Sequence, residues 1–376
     1  MDFNLYFRSR RSDILNLLKG LVNLESPTAD KKAVEACSAL AVQELRRAGA
    51  KITPLPQKEI GQLHVAEFSP PGVERPDEPI LVLTHIDTVW PVGKLEKMPF
   101  YVSGDKVFGP GVLDMKAGLV MAVFALSTLH RLNLKPRRKV RLLINSAEET
   151  GNEAAHGIIR QEAKSAALVL CLEPALPGGA LKLERKGRLV MRLETRGKAA
   201  HAGTPEKGVN AIEELTAHLA RLKKLRARET TMNIGLIGGG EKPNIVAESA
   251  WAALDIRFWT TADKERIRRT FKDLGPVMRG AKVKSALQSI TPPLEKTRAT
   301  LALFNRAKEI AAGLGIGLKS GKAGGGSDAS VAASVGVPAL DGLGPDGDGI
   351  HAEHEHLLIS SLVQRTALLT ELLLKL

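Results

Sequence analysis

The stretch GIHAEHEHLL, residues 349–358, places three histidines and two glutamates within six consecutive positions. Imidazole nitrogen and carboxylate oxygen are the donors that divalent metals such as zinc accept. The same residue types recur at the ends of apolar runs. His85 and Asp87 follow PILVLT, two apart and so on one side of an extended chain. Glu148 and Glu149 follow VRLLINSA, and Glu173 follows ALVLCL. Asp114 lies in the glycine-rich GPGVLDMKAG (109–118), just before a helical pattern that starts near Met115. Taken alone, Asp114 is an ordinary helix N-cap, and Glu148 with Glu149 an exposed acidic pair opening a helix. Gathered in one place, however, that many carboxylates repel one another unless cations hold them.

Whether they gather depends on the elements that carry them. Apolar spacing is helical from residue 13 to about 49, with SPTAD (26–30) supplying a break and a cap. Apolar runs of strand length follow at 79–86, 139–147 and 167–173, separated by helical stretches of which 115–132 is the clearest. This alternation predicts an α/β fold with a mostly parallel sheet covered on both faces. In such sheets, sites form beyond the carboxyl ends of the strands, where His85, Asp87, Glu148, Glu149 and Glu173 fall. His351 follows the last apolar strand across a glycine-rich turn.

At about residue 180 the pattern changes to strand, helix, strand, strand, helix, strand, ending at residue 291 before Pro292-Pro293. That βαββαβ order is the ferredoxin-like unit. The expected organisation is a catalytic domain in two parts, 1–179 and 293–376, with a ferredoxin-like domain, 180–292, inserted between them.

At 376 residues, two domains are the better expectation than one. With 44% apolar and 25% charged residues the composition is that of an ordinary globular protein. The first residues lack the features of a signal peptide, and no run approaches the roughly 20 apolar residues that span a bilayer. Cys37 and Cys171 sit in apolar patterns where buried thiols are common, so no disulfide framework is expected. A cytoplasmic location without a membrane partner follows as the default. The net charge of +13 is concentrated between residues 182 and 284, where 23 Lys and Arg face 12 Asp and Glu. Such an excess suits an anionic substrate or a solvated surface. Nucleic acid is the weakest of the three readings of this charge, because aromatic residues are only 4% and no nucleic-acid motif is present.

The segments LTHIDTV, GPGVLDMKAG, SAEETGN, CLEP, GKAAHAGTPEKGVNA, DIR, GGGSDA and GIHAEHE run in order from about residue 80 to 356. They resemble the successive motifs of the di-zinc aminoacylase/carboxypeptidase/desuccinylase family of metallo-exopeptidases, most closely its glutamate carboxypeptidase branch. The resemblance implies two zinc ions per chain, replaceable by cobalt or manganese. It makes Asp114 the bridging ligand, His85 and Glu173 ligands of one ion, and Glu149 and His351 ligands of the other. It also implies a cis peptide after Asp114. Glu148 would be the general base that activates a zinc-bridged hydroxide, and Asp87 would orient the His85 ring. His201 of the inserted domain would stabilise the oxyanion in the active site of a partner subunit, which requires a homodimer built through that domain. Arg257 and Asn244 would bind the terminal carboxylate and polar atoms of the substrate, and Gly326 and Ser327 of the GGGSDA loop would lie near it. Taken alone, Arg257 is equally an ion-pair residue of its sheet.

The implied reaction hydrolyses an amide or peptide bond and releases a C-terminal amino acid, with glutamate favoured by the basic inserted domain. N-acyl amino acid deacylation and dipeptide hydrolysis share this machinery. A homologue that only binds metal or ligand is the alternative of another class. Within the opening cluster, His351 alone has a ligand role; Glu355 falls to a supporting one, while His354 and His356 are polar residues around the start of the last helix.

Overall fold

A computed structural model describes residues 1–227 and 229–376. The chain divides into two compact units, one of residues 1–183, 296–323 and 327–376, the other of 184–295 with 324–326. The dividing points thus fall a few residues beyond 180 and 292, and the three glycines of GGGSDA group with the second unit rather than the first.

Unit 1 is built on a six-stranded sheet in the order Lys51–Leu55, Leu63–Phe68, Arg138–Asn145, Arg75–His85, Leu168–Cys171, Ala339–Leu340. The last four run parallel, and the first two are added antiparallel at one edge. Ile80 registers with both Val140 and Leu168, and His85 with Asn145, so the strand ends are level. Residues 79–85 are buried without a break, as a strand covered on both faces requires. Helices Ala117–Arg131 and Ile359–Lys375 pack on each other within a core that includes Leu18, Leu45, Met121, Leu126 and Leu372. Asp30 caps helix Lys31–Arg47 by accepting a hydrogen bond from the Ala33 N–H at 3.1 Å, which is the function expected of SPTAD.

Three expectations need amending. Val112–Arg131 is long and apolar enough to cross a membrane, but 89% of its most apolar stretch is buried inside the protein, as in a core helix. Strands Lys51–Leu55 and Leu63–Phe68 were not anticipated, because the first is largely exposed and contains Pro54. His356 stands close to the start of the last helix, as expected, but belongs to a strand that precedes it. It is buried in strand His356–Leu358, with its ring 5.1 Å from that of Phe108.

Unit 2 contains strands Gly187–Arg196, Thr231–Gly239, Ser249–Phe258 and Lys282–Thr291, with helices Ala211–Leu222 and Thr261–Lys272 in the βαββαβ order. All pairings are antiparallel, in the spatial order second, third, first, fourth. Buried and half-buried residues alternate along the central strands. The buried set, including Leu189, Leu193, Leu215, Leu254, Ile267 and Phe271, forms a core separate from that of unit 1. Asn210 and Thr260 cap the two helices.

Candidate metal centre

The level ends of the parallel strands deliver the polar groups. His85 closes its strand, Glu148 and Glu149 follow the strand Arg138–Asn145, and Glu173 stands two residues beyond Leu168–Cys171. Asp114 does not cap a helix. It sits in a wide turn, Val112–Lys116, with φ −112° and ψ 98°, and helix Ala117–Arg131 begins after it. The Asp114–Met115 peptide is cis, as the sequence resemblance implied. Nor do Glu148 and Glu149 open a helix, since Asn152 caps the next one, Glu153–Lys164.

His85 Nε2 lies 3.2 Å from Asp114 Oδ1 and 3.6 Å from Glu173 Oε1. His351 Nε2 lies 3.5 Å from Asp114 Oδ2 and 3.2 Å from Glu149 Oε2. The two oxygens of Asp114 therefore divide between two histidines, each of which has a further carboxylate. Two donors about 2.0–2.1 Å from a tetrahedral ion stand roughly 3.3 Å apart, close to these separations. Glu148 is also near: donor atoms of His85, Glu148 and Glu173 all lie within 4.8 Å of one another, as do those of His85, Asp114 and Glu149.

The electrostatics point the same way. Burial works against a charged His85 ring, yet bonds to Asp114, Asp87 and Glu173 hold its pKa well above the usual histidine value. Bonds to Asp114 and Glu149 push the half-exposed His351 up to about 10. Burial raises the Asp114 carboxyl, but His351 and His85 outweigh it and keep the group far below the ordinary range. Glu148 is pushed well up by burial and next by the charge of Glu173. The cluster draws positive charge onto both rings, and this mixed nitrogen and oxygen set with one shared carboxylate fits a pair of divalent cations.

Buried acids hold the donors in place. Asp87, fully buried, accepts from the main-chain N–H of Glu148 and of Glu149, each at 3.2 Å, and from Thr28 Oγ1 at 2.6 Å. Its Oδ1 lies 3.4 Å from His85 Nδ1, and its carbonyl oxygen 3.1 Å from the same nitrogen. Glu355 accepts from Trp90 Nε1 and Gly111 N on one oxygen and from Leu113 N and Asp114 N on the other, at 2.9–3.1 Å. It thereby fastens the turn bearing Asp114. His351 itself has φ +61°, a left-handed conformation, while His354 is exposed and joins no donor group among the described residues.

Sequence reasoning overlooked Asn145, Asp328, Lys182 and Thr28. Asn145 Nδ2 donates to Asp328 Oδ2 at 2.8 Å, and burial raises the Asp328 carboxyl to about 7. Lys182 Nζ stands 4.0 Å from Glu173 Oε2. Asp328 was in view within GGGSDA, but nothing in its spacing marked it as buried.

The other candidates lie elsewhere. In unit 2, His201 is exposed, and its Nδ1 accepts from Gly203 N at 3.0 Å. It is bridged to Ile245, while Ala202 N donates to the Asn244 carbonyl at 3.0 Å, so His201 and Asn244 occupy adjoining segments. Arg257 does form the ion pair of its sheet: Nε donates to Asp255 Oδ1 at 3.1 Å, and Nη1 reaches the Gly324 carbonyl at 3.3 Å. Arg188 shares Asp255 at 2.7 Å. Arg185 Nη1 donates to the Gly326 carbonyl at 2.9 Å. In unit 1, the Ser327 hydroxyl is buried and donates to Asp341 Oδ2 at 2.8 Å.

A mostly parallel sheet whose strand ends assemble two histidine–carboxylate pairs about a shared aspartate defines a metal-dependent hydrolase. The chain belongs to peptidase family M20/M25/M40, whose family model matches residues 81–375. It is thus a metallopeptidase, related to glutamate carboxypeptidases. It is 29% identical over 375 residues to carboxypeptidase G2 of Pseudomonas sp. (strain RS-16), covering 96% of this chain and 89% of that protein. Among solved structures it is similar in fold to aminopeptidase PepT from Bacillus cereus, with TM-score 0.77, 22% identity and coverage of 96% and 98%. It is also similar to the Bacillus subtilis YXEP protein, described as a dinuclear metal binding peptidase, with TM-score 0.72, 15% identity and 98% coverage of both chains.

Proposed function

We propose that this protein is a two-zinc carboxypeptidase that removes a C-terminal amino acid, glutamate-like in character, from a short peptide or N-acyl substrate. The observation that carries the reading is the division of the Asp114 carboxylate between His85 and His351. His85 and Glu173 would hold one ion and His351 and Glu149 the other, with Asp114 common to both. When bound, zinc supplies Lewis acidity to the scissile carbonyl and makes water a nucleophile at neutral pH.

The chain's own residues supply proton transfer and positioning. Glu148 takes a proton from the attacking water and returns it to the departing nitrogen; its raised pKa suits a group that must both accept and release a proton. Asp87 fixes the main chain at Glu148 and the ring of His85 together. For substrate binding, Arg257 has three N–H groups engaged of the five a guanidinium offers, which leaves two for a terminal carboxylate. Asn244 and the main-chain N–H groups of Gly326 and Ser327 complete the proposed substrate contacts, the Ser327 hydroxyl being engaged by Asp341. The preference for an anionic side chain is supported by the basic excess between residues 182 and 284 and by the relationship to glutamate carboxypeptidases.

The reading extends to a cytoplasmic homodimer assembled through unit 2, in which His201 of one subunit stabilises the oxyanion formed in the other. The edge strand Thr231–Gly239, with Leu236 and Ile237 exposed, supports an association surface on that unit.

The test is to reconstitute the purified chain with zinc, measure metal content, and screen short peptides and N-acyl amino acids. Two zinc ions per chain with release of C-terminal glutamate is the expected result. Turnover of N-acyl amino acids alone would favour a deacylase of the same family, and turnover of dipeptides alone a dipeptidase. Less than one ion per chain without turnover would favour a homologue that only binds ligands.

A further inference from the structure

Unit 1 holds a cavity of about 790 Å³ that none of the five metal donors lines. Arg8 and Arg11 of the N-terminal helices, Arg365 of the last helix, the Gly178–Gly179 turn and Asp346 contribute to its wall. Arg365 is 3% exposed. One of its terminal nitrogens donates to the Gly179 carbonyl, while Nη1 is buried and has no hydrogen-bond partner among the described residues. Burial lowers its pKa to about 10 against the opposing charge of Asp346.

The carboxylates in the wall are already engaged. Asp346 accepts from Gly178 N at 3.0 Å and Gly347 N at 2.9 Å, and Asp105 accepts from the Ser360 main chain at 3.0 Å and from its hydroxyl. Arg8 and Arg11 are exposed and form no ion pair among the described residues. Asp346 acts on Arg365 only at a distance, and a buried guanidinium without a directly bonded carboxylate is unfavourable; the planar fork of arginine matches the oxygens of carboxylate and phosphate.

We propose that this cavity binds a small organic oxyanion, the carboxylate or phosphate group of a metabolite, with Arg365 as the buried anchor and Arg8 and Arg11 at the solvent side. Nothing in this depends on the hydrolytic reading. The test is calorimetric titration of the protein, prepared free of metal so that neither probe can bind zinc, with sodium phosphate and with sodium succinate at fixed ionic strength. Saturable binding of either probe is expected, weakened roughly tenfold or more in Arg365→Gln and in the double variant Arg8→Glu/Arg11→Glu. Phosphate alone would identify a phosphorylated ligand, and succinate alone a carboxylate. Arg8 and Arg11 are exposed, so the double variant decides the matter even if Arg365→Gln fails to fold. Absence of saturable binding, or wild-type affinity in the double variant, overturns the proposal.

Discussion

Asp87 Oδ1 accepts a hydrogen bond from the main-chain N–H of Glu148 at 3.2 Å, so the acid beside the His85 ring also fixes the candidate base. Asp87→Asn sets an amide donor against groups that themselves donate. Zinc affinity is expected to fall by roughly 10–100-fold, with a further loss of turnover at saturating zinc. Competition against a chromogenic chelator measures the first effect and steady-state kinetics the second. Unaltered affinity and turnover would reduce Asp87 to a packing residue.

Glu148→Gln keeps the size of the side chain and removes its capacity to carry a proton. Turnover is expected to drop by at least ~100-fold, while two zinc ions per chain remain by elemental analysis. Near-normal activity would show that another group serves as the base.

Glu355 is 1% exposed and accepts four hydrogen bonds. Glu355→Gln turns one acceptor oxygen into a donor that faces N–H groups, at a cost of about 2–4 kcal/mol. Denaturant unfolding of the zinc-free protein should show this loss. Unchanged stability would mean that the Gly111–Asp114 turn holds without it.

Mixing tests the shared site. In the proposed dimer, the His201→Ala and Glu148→Gln variants, each nearly inactive alone, should regain part of wild-type turnover after subunit exchange, because one of the two sites in the mixed dimer then has both residues intact. No recovery, with exchange confirmed by mass spectrometry, would place His201 outside the reaction.

His64 gives a pH dependence away from the site. Burial, with a smaller effect from the Arg46 charge, lowers its pKa from 6.5 to about 4. Between those values the unfolded chain binds the proton and the folded chain does not. Stability from this group is therefore complete above pH 6.5 and lost as pH falls toward 4. At 1.36 kcal/mol per unit this amounts to at most about 3 kcal/mol. His64→Leu should flatten the stability profile across that window in thermal unfolding; an unchanged slope would exclude His64 as the cause.

That His85, Glu149 and Glu173 would gather could be read from the chain, because continuous apolar runs define buried parallel strands and the polar residue after each run stands at the same end of the sheet; their proposed roles as metal ligands came from the family resemblance. Asp114 was harder. Its position before a helical pattern reads by itself as a cap, which the turn Val112–Lys116 rules out, and its bridging role came from the family resemblance. Asp87 was expected beside the His85 ring and Glu355 in a supporting role, but the main-chain groups they hold were hidden, since a carboxylate that accepts main-chain N–H bonds imposes no residue type on its partners. Asp328 and Lys182 were missed for a related reason: each is buried within reach of charges that come from distant parts of the sequence. His356 was misread because a strand of three residues leaves no detectable alternation.

The interruption of unit 1 by unit 2 also has a meaning in time. His85, Asp114, Glu149 and Glu173 all precede residue 184, whereas His351 and Glu355 follow the inserted segment. A chain emerging from the ribosome therefore carries all three carboxylates of the proposed donor set before it has either the second ring that counters them or the acid that secures the Asp114 turn. Closure of the centre is a contact of long sequence separation, made late in synthesis. Until then the nascent carboxylates are left for solvent, protons or free cations to neutralise.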